Sequence, residues 1–217
     1  MNYNAVLVKY IDKCPYDEPI FIEEIKDYFK TIIKDNFDNV FKNIYVYINR
    51  LVKENKLSQF IKGIYYKPTK GVFGDKTLNI NKVIEKKYIC DEKGKKGYFT
   101  GAYLFNKVGL TTQVPKEILI VTNECPNGNT YNNKNLGVII KKAKITINDD
   151  NYKYLQLFDL LLNKDNIKIE VDNEEEMIYK FIKDNNLDIR KIFFYANITQ
   201  NMKAILKLYE LGGKNVR

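Results

Sequence analysis

Apolar residues recur at three- and four-residue intervals through the first third of the chain, a spacing that predicts three helices. The first lies near Ala5 to Ile11 and is followed by a loop holding Pro15 and Pro19. The second carries Ile22, Ile25, Tyr28 and Phe29 inward, with Glu23 and Glu24 in its first turn, where the macrodipole favours acids. A turn around Asp35 to Asp38 leads to a third helix, about Asn39 to Asn55. There Val40, Ile44, Ile48, Leu51 and Val52 oppose Lys42, Tyr45, Asn49 and Lys53. The period then shortens: Ser58 to Ile61 and Ile64 to Lys67 read as two strands joined through Lys62 and Gly63 and ended by Pro68.

Gly71 and Gly74 mark a link, so the chain divides into residues 1–70 and residues 71–217. The second part opens with a helix over Asn79 to Tyr88. In GYFTGAYLFNKVGLTTQVPKEILIVTN the polar and glycine positions Thr100, Gly101, Asn106, Gly109, Thr111, Thr112, Gln113 and Asn123 punctuate a helix and then a buried strand, Ile118 to Thr122. After the polar loop PNGNTYNNKN a second strand covers Gly137 to Lys144, and Ile145 to Ile147 extends it. Asp149 or Asp150 caps a helix burying Tyr154, Leu155, Phe158, Leu161 and Leu162, and Lys168 to Val171 forms a short strand. Glu174, Glu175 and Glu176 open a further helix that closes with Lys180 and Lys183. A last helix, capped by Thr199 and stopped by Gly212 and Gly213, turns Met202, Ile205, Leu206 and Tyr209 inward. The fold class is α+β: an N-terminal winged helix-turn-helix followed by a larger mixed α/β domain.

Charge sharpens the reading of the first part. Residues 1–35 hold five basic and seven acidic side chains, whereas residues 36–70 hold seven basic ones against Asp38 and Glu54. Helix, helix, helix, hairpin is the order of a winged helix-turn-helix, whose third helix enters the DNA major groove. Lysines and arginines there neutralise phosphates, and Asn amides can bond adenine edges. The DNA-binding candidates are therefore Lys42, Asn43, Asn49, Arg50 and Lys53, with Lys62 at the hairpin tip. The chain as a whole carries +9, but its Lys, Ile, Asn and Tyr richness also fits an AT-rich genome, so the location of charge weighs more than its sum. A second lysine cluster, Lys82, Lys86, Lys87, Lys93, Lys95 and Lys96, reads as solvated surface.

Composition removes whole classes of chemistry. The absence of histidine excludes His-based acid/base catalysis, Ser-His-Asp and Cys-His nucleophiles, and imidazole zinc sites. Cys14, Cys90 and Cys125 stand too far apart for a metal knuckle or a disulfide framework, which suits a reducing cytoplasm. No export signal and no membrane-length apolar run is visible. Gly212 to Lys214 follows a helix instead of opening one, so it is no phosphate loop. No metal, cofactor or catalytic residue is expected, and the chain reads as a non-enzyme.

The segments GIYYKP, YFTGAYLFNKVGLTTQVP, ILIVTN and NYKYLQLFDLL, in that order, resemble the AbiEi-type antitoxins of bacterial type IV toxin-antitoxin systems. The resemblance implies a winged helix that binds inverted repeats upstream of its own operon, and a C-terminal domain that neutralises toxicity. The partners it implies are double-stranded DNA of the own promoter and a nucleotidyltransferase-like toxin, which need not form a stable complex, in a setting of phage defence. Arg50 and Leu51 fall on the family's recognition-helix pair, and Gly63 and Tyr65 on its wing. Tyr98, Gly101, Gly109, Leu110, Thr111, Thr112, Gln113 and Pro115 fall on its central signature. Gly109 and Pro115 suit a turn, and the Thr and Gln side chains suit a buried loop whose polar groups need partners.

Two alternatives stay open from the residues alone. A metal-dependent nuclease would draw on Asp149, Asp150, Glu170 and Asp172, although no lysine follows at the needed spacing. A protein-interaction module without DNA binding would make the charge genomic background.

Overall fold

The computed structural model describes residues 2–33, 37–72 and 74–213. The architecture is α+β: a helical N-terminal region precedes a larger mixed region with several sheets. Two compact units divide the chain, residues 1–86 and 87–217.

The first unit begins with α1 (Tyr3–Lys13), strand β1 (Ile20–Phe21) and α2 (Ile22–Ile32), followed by α3 (Phe37–Lys53), β2 (Ser58–Ile61) and β3 (Ile64–Tyr66). Residues 35 and 36 of the turn expected at Asp35 to Asp38 lie outside the described residues, and the helix after it already includes residues 37 and 38. The periodic apolar positions do what their spacing requires. Leu7 and Ile11, Ile22, Ile25 and Phe29, and Val40, Ile44, Ile48 and Leu51 meet in one buried cluster with Leu57 and Tyr65. β1 is an addition to the sequence reading; two residues carry no period, and only tertiary pairing makes Ile20–Phe21 a strand. It pairs antiparallel with β3, which pairs antiparallel with β2, giving the order β1-β3-β2.

A two-residue ribbon, β4 (Lys70–Gly71) and β5 (Gly74–Asp75), and α4 (Ile80–Ile84) complete the unit. Asn79 caps α4 by accepting the Asn81 amide at 2.9 Å. The sequence boundary near residue 70 and the break in contacts after Lys86 differ, because α4 and the turn after it are tied to the acidic half of this unit. Lys82 meets Glu18 at 2.5 Å, and Lys86 meets Glu24 at 2.9 Å and the Pro19 carbonyl at 2.7 Å. The acidic charge counted in residues 1–35 is thus partly offset from residues 82 and 86. That splits the second lysine cluster, whose Lys96 pairs instead with Asp91 and Glu124.

In the second unit a small hairpin, β6 (Cys90–Asp91) and β7 (Gly94–Lys95), precedes β8 (Gly97–Thr100), α5 (Gly101–Val108), β9 (Ile118–Thr122), β10 (Thr130–Asn133) and β11 (Val138–Lys142). These last four strands form a sheet in the order β10-β11-β9-β8, with β11 and β9 parallel and the outer pairs antiparallel. Four helices follow: α6 (Tyr152–Asn163), α7 (Glu174–Asp184), α8 (Ile189–Ile198) and α9 (Met202–Gly213). α6 buries Tyr154, Leu155, Gln156, Leu157, Phe158, Leu160 and Leu161, more than one stripe, because it packs against β8, α5 and the other three helices.

Lys168 to Val171 is not a strand; the segment is held by single bonds such as the Glu170 amide to the Leu110 carbonyl at 3.0 Å. Ile145 to Ile147 does not continue β11. The α6 cap is Asn151, preceded by Asn148, whose side chain accepts the Asp150 and Asn151 amides, while the Asp149 carboxylate faces the Lys95 amide. Thr199 ends α8, its hydroxyl donating to the Tyr195 carbonyl at 2.6 Å, and does not start α9. α9 turns Ala204 and Leu211 inward, leaving Met202, Leu206 and Tyr209 exposed. The expected stop at Gly212 and Gly213 coincides with the end of α9, and Lys214 lies outside the described residues.

Candidate nucleic-acid interface

α3 is amphipathic because its apolar residues fall every three or four positions, and burying that stripe fixes what faces outward. Val40, Ile44, Ile48 and Leu51 are buried. Lys42, Asn43, Asn49, Arg50 and Lys53 are all exposed, as the sequence reading has them. Lys42, Asn49 and Lys53 share one stripe at helical spacing, and Asn43 and Arg50 run along its flank. Val46 completes the stripe between Lys42 and Asn49, and it is 63% exposed. Sequence reasoning passed over it, although its spacing to Lys42, Asn49 and Lys53 was the available signal. A methyl-bearing side chain between amide and ammonium groups suits contact with a thymine methyl.

The C-terminus of α3 is closed by Asn55, whose φ of +56° is the left-handed conformation that ends helices. The Lys56 amide reaches back to the Leu51 carbonyl at 2.9 Å and the Asn55 amide to Val52 at 3.1 Å. Just inside this cap Glu54 tempers the charge of the face. Its carboxylate takes the Lys56 ammonium at 2.8 Å and the Arg50 Nε at 3.1 Å. The Lys56 hydrogen bond, and then Arg50, hold Glu54 below the usual carboxylate range. Arg50 is therefore exposed but already partnered.

Lys62 is exposed in the turn between β2 and β3. Gly63 permits that turn with φ +85°, and its carbonyl accepts the Ile22 amide at 2.9 Å, fastening the hairpin to the start of α2. Tyr65 is buried opposite Ile20 and Gln59.

The central signature lies in the second unit and divides into two structural tasks. Tyr98 and Thr100 both donate to Asp159 of α6, Thr100 Oγ1 at 2.6 Å. Desolvation pushes the Asp159 carboxyl up, against those two hydrogen bonds. Gly101 starts α5 at φ +62°, and Gly109 ends it at φ +87°. Leu110 is fully buried. Beyond it, Glu170 accepts from the Thr112 amide at 2.7 Å, the Thr112 hydroxyl at 2.5 Å and the Thr111 hydroxyl at 3.3 Å. The Gln113 amide donates to Thr111 Oγ1 at 3.2 Å, Gln113 itself is exposed, and Pro115 is half-buried. Thr111 to Gln113 thus form a clasp on residue 170, a partner that sequence spacing could not reveal.

The Thr112 hydroxyl and then its amide hold Glu170 below the usual glutamate range. The clasp therefore contributes stability above the unfolded glutamate pKa and loses it as pH falls through the lower folded value. Glu170→Ala is expected to lower the protection factor of the Thr112 amide against hydrogen exchange at neutral pH, and acidification of the wild type should lower the same protection factor once the slower intrinsic exchange at low pH is divided out. An unchanged exchange rate in the variant would mean that the carboxylate does not hold the loop.

The carboxylates considered for a nuclease are not gathered: Asp149 faces the Lys95 amide and Glu170 faces Thr112. Among the described residues no group of three or more His, Cys, Asp or Glu side chains could hold a metal ion. Cys14, Cys90 and Cys125 are free. No helix among the described residues is long and apolar enough to cross a membrane.

Residues 22–156, more than half of the chain, match the model of a family described as "Family of unknown function (DUF6088)". No curated protein matches the chain.

Proposed function

The chain belongs to the DUF6088 family of unknown function, and from the geometry of its first unit we propose that it is a DNA-binding regulator built on a winged helix-turn-helix. The observation that carries this reading is the exposed stripe Lys42, Val46, Asn49 and Lys53 on α3. It combines phosphate-neutralising ammoniums with an amide and an apolar contact that can read base edges. The order of α1, β1, α2, α3 and the β2–β3 hairpin supports it, since that is the order in which a winged helix presents its third helix and wing. Asn43 and Arg50 extend the contact along the flank, and Lys62 supplies a backbone contact from the wing.

The resemblance of the central segment to AbiEi-type antitoxins supports a fuller reading. In it the protein represses its own operon in the cytoplasm by binding upstream inverted repeats. The second unit counteracts a nucleotidyltransferase-like toxin without requiring a stable complex with it. On this account the protein performs no catalysis and needs no cofactor. Co-expression with the product of the neighbouring reading frame tests the second part: growth should be restored by the intact chain. Continued toxicity with well-folded, abundant protein would contradict it.

Glu54 gives a direct test of the interface. Glu54→Gln releases Arg50 and Lys56, so the variant should bind the upstream duplex about two- to threefold more tightly, with a steeper salt dependence. Arg50→Ala should weaken binding while leaving the circular dichroism spectrum unchanged, because its side chain is exposed. If mobility shifts of both variants match the wild type, α3 is not the reading helix.

A further inference from the structure

Three lysines converge on a cleft of the second unit without a matching set of carboxylates. The cleft, about 460 Å³, lies among β8, α5, α6 and α7 and is of the size of small-molecule sites. Lys107, Lys153 and Lys180 all line it. Asp184 lines it too, yet among the described residues none of the three ammoniums lies within ion-pair distance of a carboxylate. What sets the three apart is that they line one cleft.

The chemistry of the walls adds two independent features. Lys107 sits 5.6 Å above the Tyr103 ring, and Lys153 sits 5.5 Å above Phe181. Burial, and then the nearby charge of Lys95, draws Lys153 below the ordinary lysine range, so its positive charge is carried at a cost. Gln156, 6% exposed, belongs to the same wall. Its Nε2 donates to the Phe99 carbonyl at 3.0 Å, which orients the amide. Its Oε1 is buried with no hydrogen-bond partner among the described residues. An unfilled buried acceptor is uncommon in folded proteins and points to a missing donor.

We infer that this cleft binds a nucleotide, with phosphate between Lys107, Lys153 and Lys180 and the base against Tyr103, where a base N–H supplies the donor absent at Gln156 Oε1. A bare anion would satisfy the lysines alone; the aromatic wall and the empty acceptor call for a planar group bearing N–H donors. The inference concerns the second unit and stands whether or not the first unit binds DNA.

The test is a fluorescence titration of the full-length protein with mant-ATP, using ATP, adenosine and inorganic tripolyphosphate as competitors. Saturable binding is expected, displaced best by ATP and more weakly by adenosine or tripolyphosphate alone. Lys153→Gln should lower affinity about tenfold, the loss of one charge-assisted contact. Lys107→Gln, at an exposed position, should lower it in the same direction and serves if the Lys153 variant folds poorly. Gln156→Leu should weaken mant-ATP while leaving tripolyphosphate competition unchanged. Lys53→Ala, on the α3 face and so outside the cleft, should leave the affinity for mant-ATP at the wild-type value. Absence of saturable binding up to about 1 mM would overturn the inference. So would wild-type affinity in both lysine variants, tripolyphosphate competing as well as ATP, or loss of mant-ATP binding in Lys53→Ala.

Discussion

Replacing Lys42 and Lys53 together with alanine is expected to weaken binding to the upstream duplex roughly 100-fold at moderate salt, on the order of 1.4 kcal/mol for each lost charge-assisted contact. The two side chains stand eleven positions apart on one helical stripe, both exposed, so each can meet a phosphate without rearrangement of the core. The slope of log affinity against log salt should become shallower by about 1.8, since roughly 0.9 is lost per phosphate no longer neutralised. Folding should be untouched, because the buried side of α3 is carried by Val40, Ile44, Ile48 and Leu51. Fluorescence anisotropy measures the affinity and its slope, and urea denaturation measures the stability. A large affinity loss without a change in slope would mean that the lysines contact something other than phosphate.

Gly97→Ala is expected to cost the second unit about 3 kcal/mol, at the upper end of what overpacking does. A Cβ at this position would stand 2.1 Å from the Tyr88 carbonyl oxygen and 2.8 Å from that of Val121. Both obstacles are backbone, and Val121 belongs to β9, the strand to which β8 is paired, so relief requires the strands to part. Gly109→Ala is the instructive comparison. There the φ of +87° is unfavourable for alanine, but the new methyl would meet only the Met177 Cε at 2.9 Å, the end of a flexible side chain. Its cost should be smaller, about 1–2 kcal/mol for the left-handed backbone. Urea denaturation of the two variants decides the order, and equal losses would contradict this account of the β8–β9 contact.

Gly97 also marks the edge of what could be read from the chain. Its neighbours Gly101 and Gly109 stood out through a family pattern, whereas the need for glycine at 97 comes from two carbonyls distant in sequence. The same contrast runs through the fold. α1, α2 and α3 were legible because each buries one regular stripe, the hairpin was legible through the turn at Lys62 and Gly63 between two short runs, and β9 was legible as a run of branched residues between polar segments. β1 is too short to carry a period, and β10, Thr130–Asn133, is polar because it is an edge strand with little to bury. α8 escaped because Phe193 and Phe194 are exposed, so its apolar residues do not trace a single face. α9 offered two stripes, Met202, Leu206 and Tyr209 or Ala204, Leu208 and Leu211, and the bulkier one attracted the reading. Helix packing decided otherwise: Ala204 and Leu211 are buried where α9 lies against α6 and α8.

The candidate interface was more legible than the fold around it. Exposure at Lys42, Asn43, Asn49, Arg50, Lys53 and Lys62 follows from the burial of their opposing stripe or from their place in a turn. What the sequence could not display is the traffic between charges. Glu54 engages Arg50 and Lys56, and Lys82 and Lys86 reach back to Glu18 and Glu24 across more than sixty positions. Such pairs alter the strength of the positive face without altering its composition.

The central claim, that α3 of this protein reads DNA, is tested most directly by fluorescence anisotropy with the duplex of its own upstream region and a scrambled duplex, across a salt series. The account predicts tighter binding to the upstream duplex at every salt concentration, with an affinity that falls steeply as salt rises. Equal affinity for the two duplexes, or binding indifferent to salt, would contradict it.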